Sequence, residues 1–240
     1  MRILIKPILY FSLNLLFLVR CIYAQAHCQG LKDQKAEDEC FMKIALDYAM
    51  EHNPGAPFGA IVVNPSSKTI ACYGVNSWRK NALLHGETTA FWNCTELYPS
   101  PTNNDMFDPG LDWSRHTLYT TGEPCPMCAA QCSYRGLARV VWGSSIPDLN
   151  KSGCPQIMIG MDVVVGATRL GADRLSKNLP VIEGGILKEE CDYNFWCGFA
   201  HYRTEAYYEA MKKQGLLDYI KEREERFKCP TKPKLINESY

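Results

Sequence analysis

The chain has 240 residues, of which 46% are apolar and 22% are charged, and it contains no internal repeat. This composition is typical of a globular protein and excludes a disordered or fibrous one, and the length suits one well-buried domain better than two. The formal net charge is zero, so the whole chain has no positive field that would attract nucleic acid.

The first 26 residues differ from the rest. Arg2 and Lys6 precede an apolar run over residues 7–19, and Ala24-Gln25-Ala26 follows. This order is typical of a secretory signal peptide that is cleaved after Ala26. The alternative, a transmembrane anchor, needs roughly twenty apolar residues, which is longer than this run. We therefore expect residues 1–26 to be removed and the protein to be secreted, without a stable membrane span.

Removal of this segment leaves 23 basic and 26 acidic residues, a net charge of about −3. Nucleic acid is therefore not an expected partner. Eleven cysteines also remain, and a secreted chain commonly uses them in disulfides, although the pairing cannot be read from a sequence. Three N-x-S/T glycosylation acceptors remain as well, at Asn93, Asn150 and Asn237.

Helical and strand-like patterns alternate along the chain. Apolar residues at helical spacing predict helices over 36–52, 85–98 and 124–136, and a longer helix that runs through the apolar residues from Phe195 to Ala210. Short β-rich stretches predict strands over 58–64, 69–76, 116–121, 138–143 and 179–184. Residues 99–114 are predicted to form a loop, and residues 144–178 show no clear pattern.

This order predicts an α/β protein with three layers, in which a central mixed five-stranded sheet lies between helices. The first two strands form a hairpin, which excludes a purely parallel sheet. The predicted domain spans residues 27–215, and residues 216–240 are predicted to form a charged C-terminal tail.

Two short motifs contain residues that could bind a metal. "HGE" (85–87) and "PCPMC" (124–128) each stand at the start of a predicted helix. Cys125 and Cys128 are three residues apart, so both sulfurs face one side of a first helical turn, where the helix dipole favours thiolates. His85 would complete a three-ligand set of the kind that catalytic zinc sites use, with the fourth position left for water. Glu87 would then reach that water without binding the metal.

Other interpretations of these cysteines exist. A C-x-x-C pair in a secreted chain can be a disulfide or a redox pair. A closed structural zinc site would need a fourth ligand, for which Cys132, Cys94 and Cys72 are candidates. Glu87 would have no chemical role beside a closed structural site, so we do not expect a fourth protein ligand. Cys132 and Cys94 are instead expected to be buried free thiols.

The motifs resemble those of the zinc-dependent cytidine/deoxycytidylate deaminase-like family, which has an H-x-E…P-C-x-x-C pattern. "PFGAIVV", "TLYTTGEPCPMCAAQCSYRGLARVVWG" and "GGILKEEC" also resemble stretches of nucleobase deaminases and tRNA adenosine deaminases. Together these stretches extend over most of residues 36–200. The resemblance implies the cytidine deaminase-like fold and the hydrolytic removal of an exocyclic amine from a base, with release of ammonia.

The resemblance also implies a role for individual residues. His85, Cys125 and Cys128 match the ligands of one Zn²⁺ per subunit, and Glu87 matches the catalytic residue that moves protons. Asn76 and Gly86 match positions that contact the substrate base. Members of the family are usually dimers, so a homodimer is expected.

Different motifs of this chain resemble deaminases that act on different bases, so the base is not predicted. Gly86 and "NC" at 93–94 resemble fungal-type cytosine deaminases, whereas "EPCPMC" and "GGILKEEC" resemble guanine and tRNA adenosine deaminases. The predicted function is zinc-dependent deamination of a free nucleobase or nucleoside. The alternatives are deamination of adenosine in tRNA or another RNA, and a secreted binding protein that retains the fold without catalysis.

Overall fold

The computed structural model describes residues 25–100, 110–170 and 179–230. Nearly all of the predicted signal peptide and the last ten residues, including Asn237, lie outside these ranges. The helices are α1 (Gln34–His52), α2 (Gly86–Leu97), α3 (Pro126–Arg135), α4 (Ile146–Lys151), α5 (Met161–Thr168), α6 (Lys188–Gly198), α7 (Glu205–Lys213) and α8 (Leu217–Arg226). The strands are β1 (Gly59–Asn64), β2 (Thr69–Val75), β3 (Thr117–Gly122), β4 (Arg139–Ser144) and β5 (Val181–Gly184).

The five strands form one mixed sheet in the order β2-β1-β3-β4-β5. β1 runs antiparallel to both β2 and β3, while β3, β4 and β5 are parallel. The ends of the parallel strands β3 and β4 therefore lie at the same edge of the sheet, and the loop that leads into α3 starts there.

The sheet separates two apolar cores, which makes the domain three-layered. In β1, Ile61 and Val63 face the core beneath α1 and α6, whereas Ala60 and Val62 face the core beneath α2, α3 and α5. This alternation follows from the two-residue period of a strand. The prediction of a three-layer α/β/α fold with a mixed five-stranded sheet is confirmed.

Local sequence signals explain where several helices begin and end. Asp33 caps α1 by accepting a hydrogen bond from the Ala36 N–H at 2.9 Å. Pro126 occupies the start of α3, where a missing N–H is tolerated, and Gly136 ends this helix in the left-handed conformation at φ 67°.

The single long helix predicted across Phe195 to Ala210 is wrong. α6 ends at Gly198, a short 3₁₀ turn follows over Ala200–Tyr202, and α7 is a separate helix. A Cβ on Gly198 would lie 2.8 Å from the carbonyl oxygen of Pro54, so this helix end packs closely on a loop backbone. Phe195 and Phe199 are buried, whereas Tyr202 and Ala206 are exposed, so the apolar spacing across the break does not mark one buried helix face.

The segment 144–178 is more regular than its sequence suggests. It contains α4 and α5, and its residues 171–178 lie outside the described ranges. Both helices are short, at six and eight residues, which is too few for a clear period.

The stretch predicted as a charged tail contains α8. Ile220 and Phe227 are buried together with Trp196 of α6, and a disulfide joins Cys197 to Cys229. In the described part of the chain, no helix has the length and apolarity that a membrane crossing requires.

Candidate active site

The two sequence motifs meet in space because each precedes a helix at the same face of the sheet. His85 is the N-cap residue of α2 and Cys125 is the N-cap residue of α3. Neither side chain caps its own helix. Cys128 lies one turn into α3, on the side that faces His85.

The three side chains are spaced as zinc ligands. Their donor atoms all lie within 4.8 Å of one another. His85 Nδ1 is 3.5 Å from the Cys125 Sγ and 3.7 Å from the Cys128 Sγ. Ordinary Zn–S and Zn–N bond lengths in a tetrahedron place such atoms about 3.6 Å apart. One imidazole and two thiols at this spacing fit zinc.

The electrostatics of this cluster favour a bound cation. A hydrogen bond from the Cys128 thiol, supported by His85, lowers the pKa of the Cys125 thiol to about 4, although burial opposes this. The same pairing with Cys125, together with burial, raises the pKa of Cys128. A hydrogen bond with Cys125 raises the pKa of His85. Negative charge is therefore favoured on the Cys125 sulfur, which accepts hydrogen bonds from Cys128 and His85, and a cation can replace the protons of these two groups.

Glu87 lies beside this cluster and is buried, with 3% of its surface exposed. Burial raises the pKa of its carboxyl group, and the charge of the neighbouring Cys125 raises it further. The buried hydroxyl of Thr120 in β3 donates a hydrogen bond to its Oε1 at 3.3 Å. A carboxyl group with a raised pKa at such a place can accept and release a proton near neutral pH.

The backbones of Asn76 and Gly86 both lie close to the carbonyl oxygen of Phe58. Asn76 donates its backbone N–H to this oxygen at 2.9 Å, and a Cβ on Gly86 would lie 2.8 Å from it. Glycine at position 86 therefore has a packing reason. The Oδ1 of Asn76 accepts from the Trp78 N–H at 3.1 Å, which leaves its Nδ2 to donate to another group.

The loop between Asn76 and His85 is closed at its base, because Ser77 donates its N–H to the Leu84 carbonyl at 2.8 Å. This bond holds the predicted base-contacting residue near the predicted zinc ligand. The sequence gives no sign of this closure, since it is made by backbone groups.

The other cysteines are arranged differently from the expectation. Cys132 is a buried free thiol, as predicted, and among the described residues it does not belong to the group of candidate metal ligands. Cys94 is not a free thiol, because it forms a disulfide with Cys72 that joins α2 to β2. A third disulfide joins Cys28 to Cys40. Cys125 and Cys128 are free, which does not agree with the disulfide interpretation of C-x-x-C.

Three residues that the sequence analysis missed touch the candidate site. Thr120 contacts Glu87, as described above. Gln131 donates to the Thr88 hydroxyl at 2.9 Å, and this hydroxyl lies 3.9 Å from the Cys128 Sγ. All three contacts join residues more than 30 positions apart, so no local pattern could have shown them.

Comparison with known proteins gives a consistent result. The sequence profile of the cytidine and deoxycytidylate deaminase zinc-binding region matches residues 35–144. The chain is 31% identical to a cytosine deaminase of Candida albicans over 134 residues, which are 53% of this chain and 79% of that protein. It is 25% identical to a tRNA-specific adenosine deaminase of Bacillus subtilis over 159 residues, 65% of this chain and 84% of that protein.

Solved structures show the same fold. A guanine deaminase from Nitrosomonas europaea superposes with a TM-score of 0.53 over 73% of this chain and 91% of its own length, at 19% identity. At this identity the likeness concerns the fold alone.

Proposed function

This chain belongs to the cytidine and deoxycytidylate deaminase family, and we propose that it catalyses the zinc-dependent hydrolytic deamination of a nucleobase or nucleoside. The observation that carries the proposal is the set of three donor atoms at zinc-ligand spacing with a buried carboxyl group beside them. The relatives named above, which act as cytosine and adenosine deaminases, support it.

His85 Nδ1, Cys125 Sγ and Cys128 Sγ are the groups that would hold one zinc ion per chain. When bound by three protein ligands, zinc supplies a Lewis acid that lowers the pKa of water to about 7. Thr88 stabilises this set, because its hydroxyl accepts from Gln131 and can direct its proton towards Cys128.

Glu87 is the proton carrier. Its carboxylate accepts one proton of the attacking water and passes it to a ring nitrogen of the base. It then takes the remaining proton of the added hydroxyl group and delivers it to the departing amine. The hydrogen bond from Thr120 holds Oε1 and so fixes the orientation of this carboxyl group. The carbon that loses the amine gains the oxygen of the water as an oxo group, and ammonia is released.

Asn76 orients the base. Because Trp78 occupies its Oδ1, the Nδ2 group can donate to a carbonyl oxygen or an unprotonated ring nitrogen of the substrate. Gly86 forms the adjacent wall, where the backbone at residues 58 and 86 is close-packed.

We propose a free base or nucleoside as the substrate rather than RNA. An RNA substrate needs a basic surface that follows its phosphates, whereas the chain has as many acidic as basic residues. Release of ammonia from cytosine, guanine, adenine and their nucleosides by the purified, zinc-loaded chain tests this proposal. Turnover of at least one of them is expected.

Turnover of adenosine in a tRNA stem-loop, with none on the free compounds, would instead assign the RNA substrate. No release from any of these substrates by a zinc-loaded chain would indicate a binding protein without catalysis.

We propose that the protein folds in an oxidising compartment and is secreted. Three disulfides support this, since such bonds are rare in reducing compartments. N-terminal sequencing of the protein from the medium of its own cells should begin at His27. Recovery only from the cell interior, with residues 1–26 retained, would contradict secretion.

We also propose a homodimer. α3 packs beside both α2 and α5 on one face of the sheet, and these helices expose Trp92, Tyr134 and Val163 by 61%, 64% and 56%. Exposed apolar side chains on three adjacent helices of one layer support an interface on this face. Sedimentation should give twice the chain mass, and Trp92→Glu should halve it, whereas a monomeric wild-type protein would contradict this.

A further inference from the structure

Glu123 stands two residues before Cys125, and its side chain connects the metal-binding loop to a distant segment. The residue is buried, with 9% of its surface exposed. Its Oε2 accepts the N–H of Ile146 at 2.8 Å, and its Oε1 accepts the N–H of Met161 at 2.9 Å. One carboxylate therefore binds two backbone groups that are fifteen positions apart in the sequence.

Both of these N–H groups belong to the first residue of a helix. Ile146 begins α4 and Met161 begins α5, and the N–H groups of a first helical turn have no acceptor within their own helix. The residue before α5 is Gly160, which has no side chain to cap it. Glu123 supplies the missing acceptor from another part of the chain.

The close approach of Glu123 depends on Gly160. A Cβ at this position would lie 3.2 Å from the Oε1 of Glu123, and 2.4 Å from the carboxylate of Asp162, which would have to turn away. Any side chain at residue 160 would therefore crowd the carboxylate from the side of α5.

The backbone of Glu123 is also fixed. Its N–H donates to the Ser144 carbonyl at 2.7 Å, where β3 and β4 end side by side, with Gly122 paired to Ser144. Among the described residues, no cationic side chain lies within ion-pair distance of Glu123. In this part of the chain the carboxylate is bound by the N–H groups of Ile146 and Met161, so these two hydrogen bonds depend on each other.

We propose that Glu123 is a positioning residue that sets the affinity of the metal site by fixing the Pro124-Cys125 turn against the segment 144–161. It does not touch the reacting atoms. The hydrogen bonds of Glu123 fix the residue that directly precedes the Pro124-Cys125 turn. The turn is thereby held in place at this end, and the Cys125 Sγ stays at the distance from His85 that zinc requires. This inference rests on the proposed function, in which His85, Cys125 and Cys128 bind zinc, and it gives α4 and α5 a role.

Glu123→Gln tests the inference in the full-length chain. The glutamine has nearly the same shape, but its NH₂ group faces one of the two N–H donors, so one hydrogen bond is lost. We expect the zinc affinity, measured by competition with a chromophoric chelator, to fall roughly 10- to 100-fold, the range typical of groups that support metal ligands. With cobalt(II) in place of zinc, the sulfur-to-metal absorption band should also shift.

The matched control is Asp33→Ala. Asp33 caps α1 through the Ala36 N–H at 2.9 Å, so this variant also loses a helix cap and some stability. α1 contributes none of the candidate metal ligands, so its zinc affinity should equal that of the wild type. A Glu123→Gln variant that is less stable but binds zinc as tightly as the wild type would overturn the inference.

Gly160→Ala provides a second test if Glu123→Gln does not fold. It crowds Oε1 without removing the carboxylate, and we expect a smaller loss of zinc affinity, about 10-fold at most. An unchanged zinc affinity in Gly160→Ala would then overturn the inference. A wild-type chain that binds no zinc would instead contradict the proposed function itself, so the two failures can be distinguished.

Discussion

Replacement of Glu87 by glutamine separates catalysis from folding in this protein. The glutamine keeps an oxygen that can accept from Thr120, but it cannot carry a proton. A general acid–base residue contributes roughly 10²- to 10⁴-fold to a rate, which corresponds to about 2.7–5.4 kcal/mol in the activation free energy. We therefore expect kcat to fall by this factor.

The same change should not destabilise the protein. Burial raises the pKa of Glu87, which means that its ionised form is less favourable in the folded chain than in the unfolded one. A neutral amide removes this cost at neutral pH, so the free energy of unfolding should stay equal or rise. The zinc content should stay the same as well.

The assay combines ammonia release, zinc content and chemical unfolding, with Glu183→Gln as the control. Glu183 is a half-exposed carboxylate on β5 that pairs with Arg139, and its replacement should leave kcat unchanged. Turnover by Glu87→Gln within tenfold of the wild type would refute the role as proton carrier. Loss of zinc from this variant would show that Glu87 holds the metal instead.

Two further predictions concern stability. The disulfide between Cys197 and Cys229 closes a loop with a sequence separation of 32, so replacing both cysteines by serine should lower the free energy of unfolding by about 3–4 kcal/mol. Cys154→Ser, which removes a free thiol, is the control. An equal loss of stability in this control would contradict a stabilising role of the disulfide. Burial acts to raise the pKa of Asp148, but the hydrogen bonds and charge of Lys188 outweigh burial and lower this pKa. The ionised Asp148 therefore stabilises the folded chain above the pKa that this residue has in the unfolded chain. This stabilisation is lost as the pH falls through the pKa of Asp148 in the folded chain. The difference in unfolding free energy between the wild type and Asp148→Asn should accordingly shrink with acidification, and a difference that does not depend on pH would contradict it.

Most of the sheet could be predicted because its signals are local. β1 and β2 alternate on either side of a short turn, and α3 begins with Pro126 and ends at Gly136. The end of α6 at Gly198 packs on the Pro54 carbonyl, which is far away in the sequence, so no local pattern indicates this close contact. α4 and α5 are too short for their apolar period to be recognised.

The candidate site also has residues that could be predicted from the sequence and contacts that could not. His85, Glu87, Cys125 and Cys128 could be grouped from the sequence because each stands at a helix start and the motif is specific. The disulfide of Cys94 with Cys72 was missed, because it depends on how α2 packs on β2.

The contacts of Glu123 were missed for a related reason. Its partners are backbone N–H groups, which look alike in every sequence. Supporting contacts of this kind appear only when distant segments are seen together.

Zinc content per chain is the most direct test of the account. The purified wild-type protein should contain about one zinc per chain, Cys125→Ser and His85→Ala should lose most of it, and Cys132→Ser should keep it. Full zinc occupancy in the Cys125→Ser and His85→Ala variants, or a wild-type chain that binds no zinc and joins Cys125 to Cys128, would contradict the account.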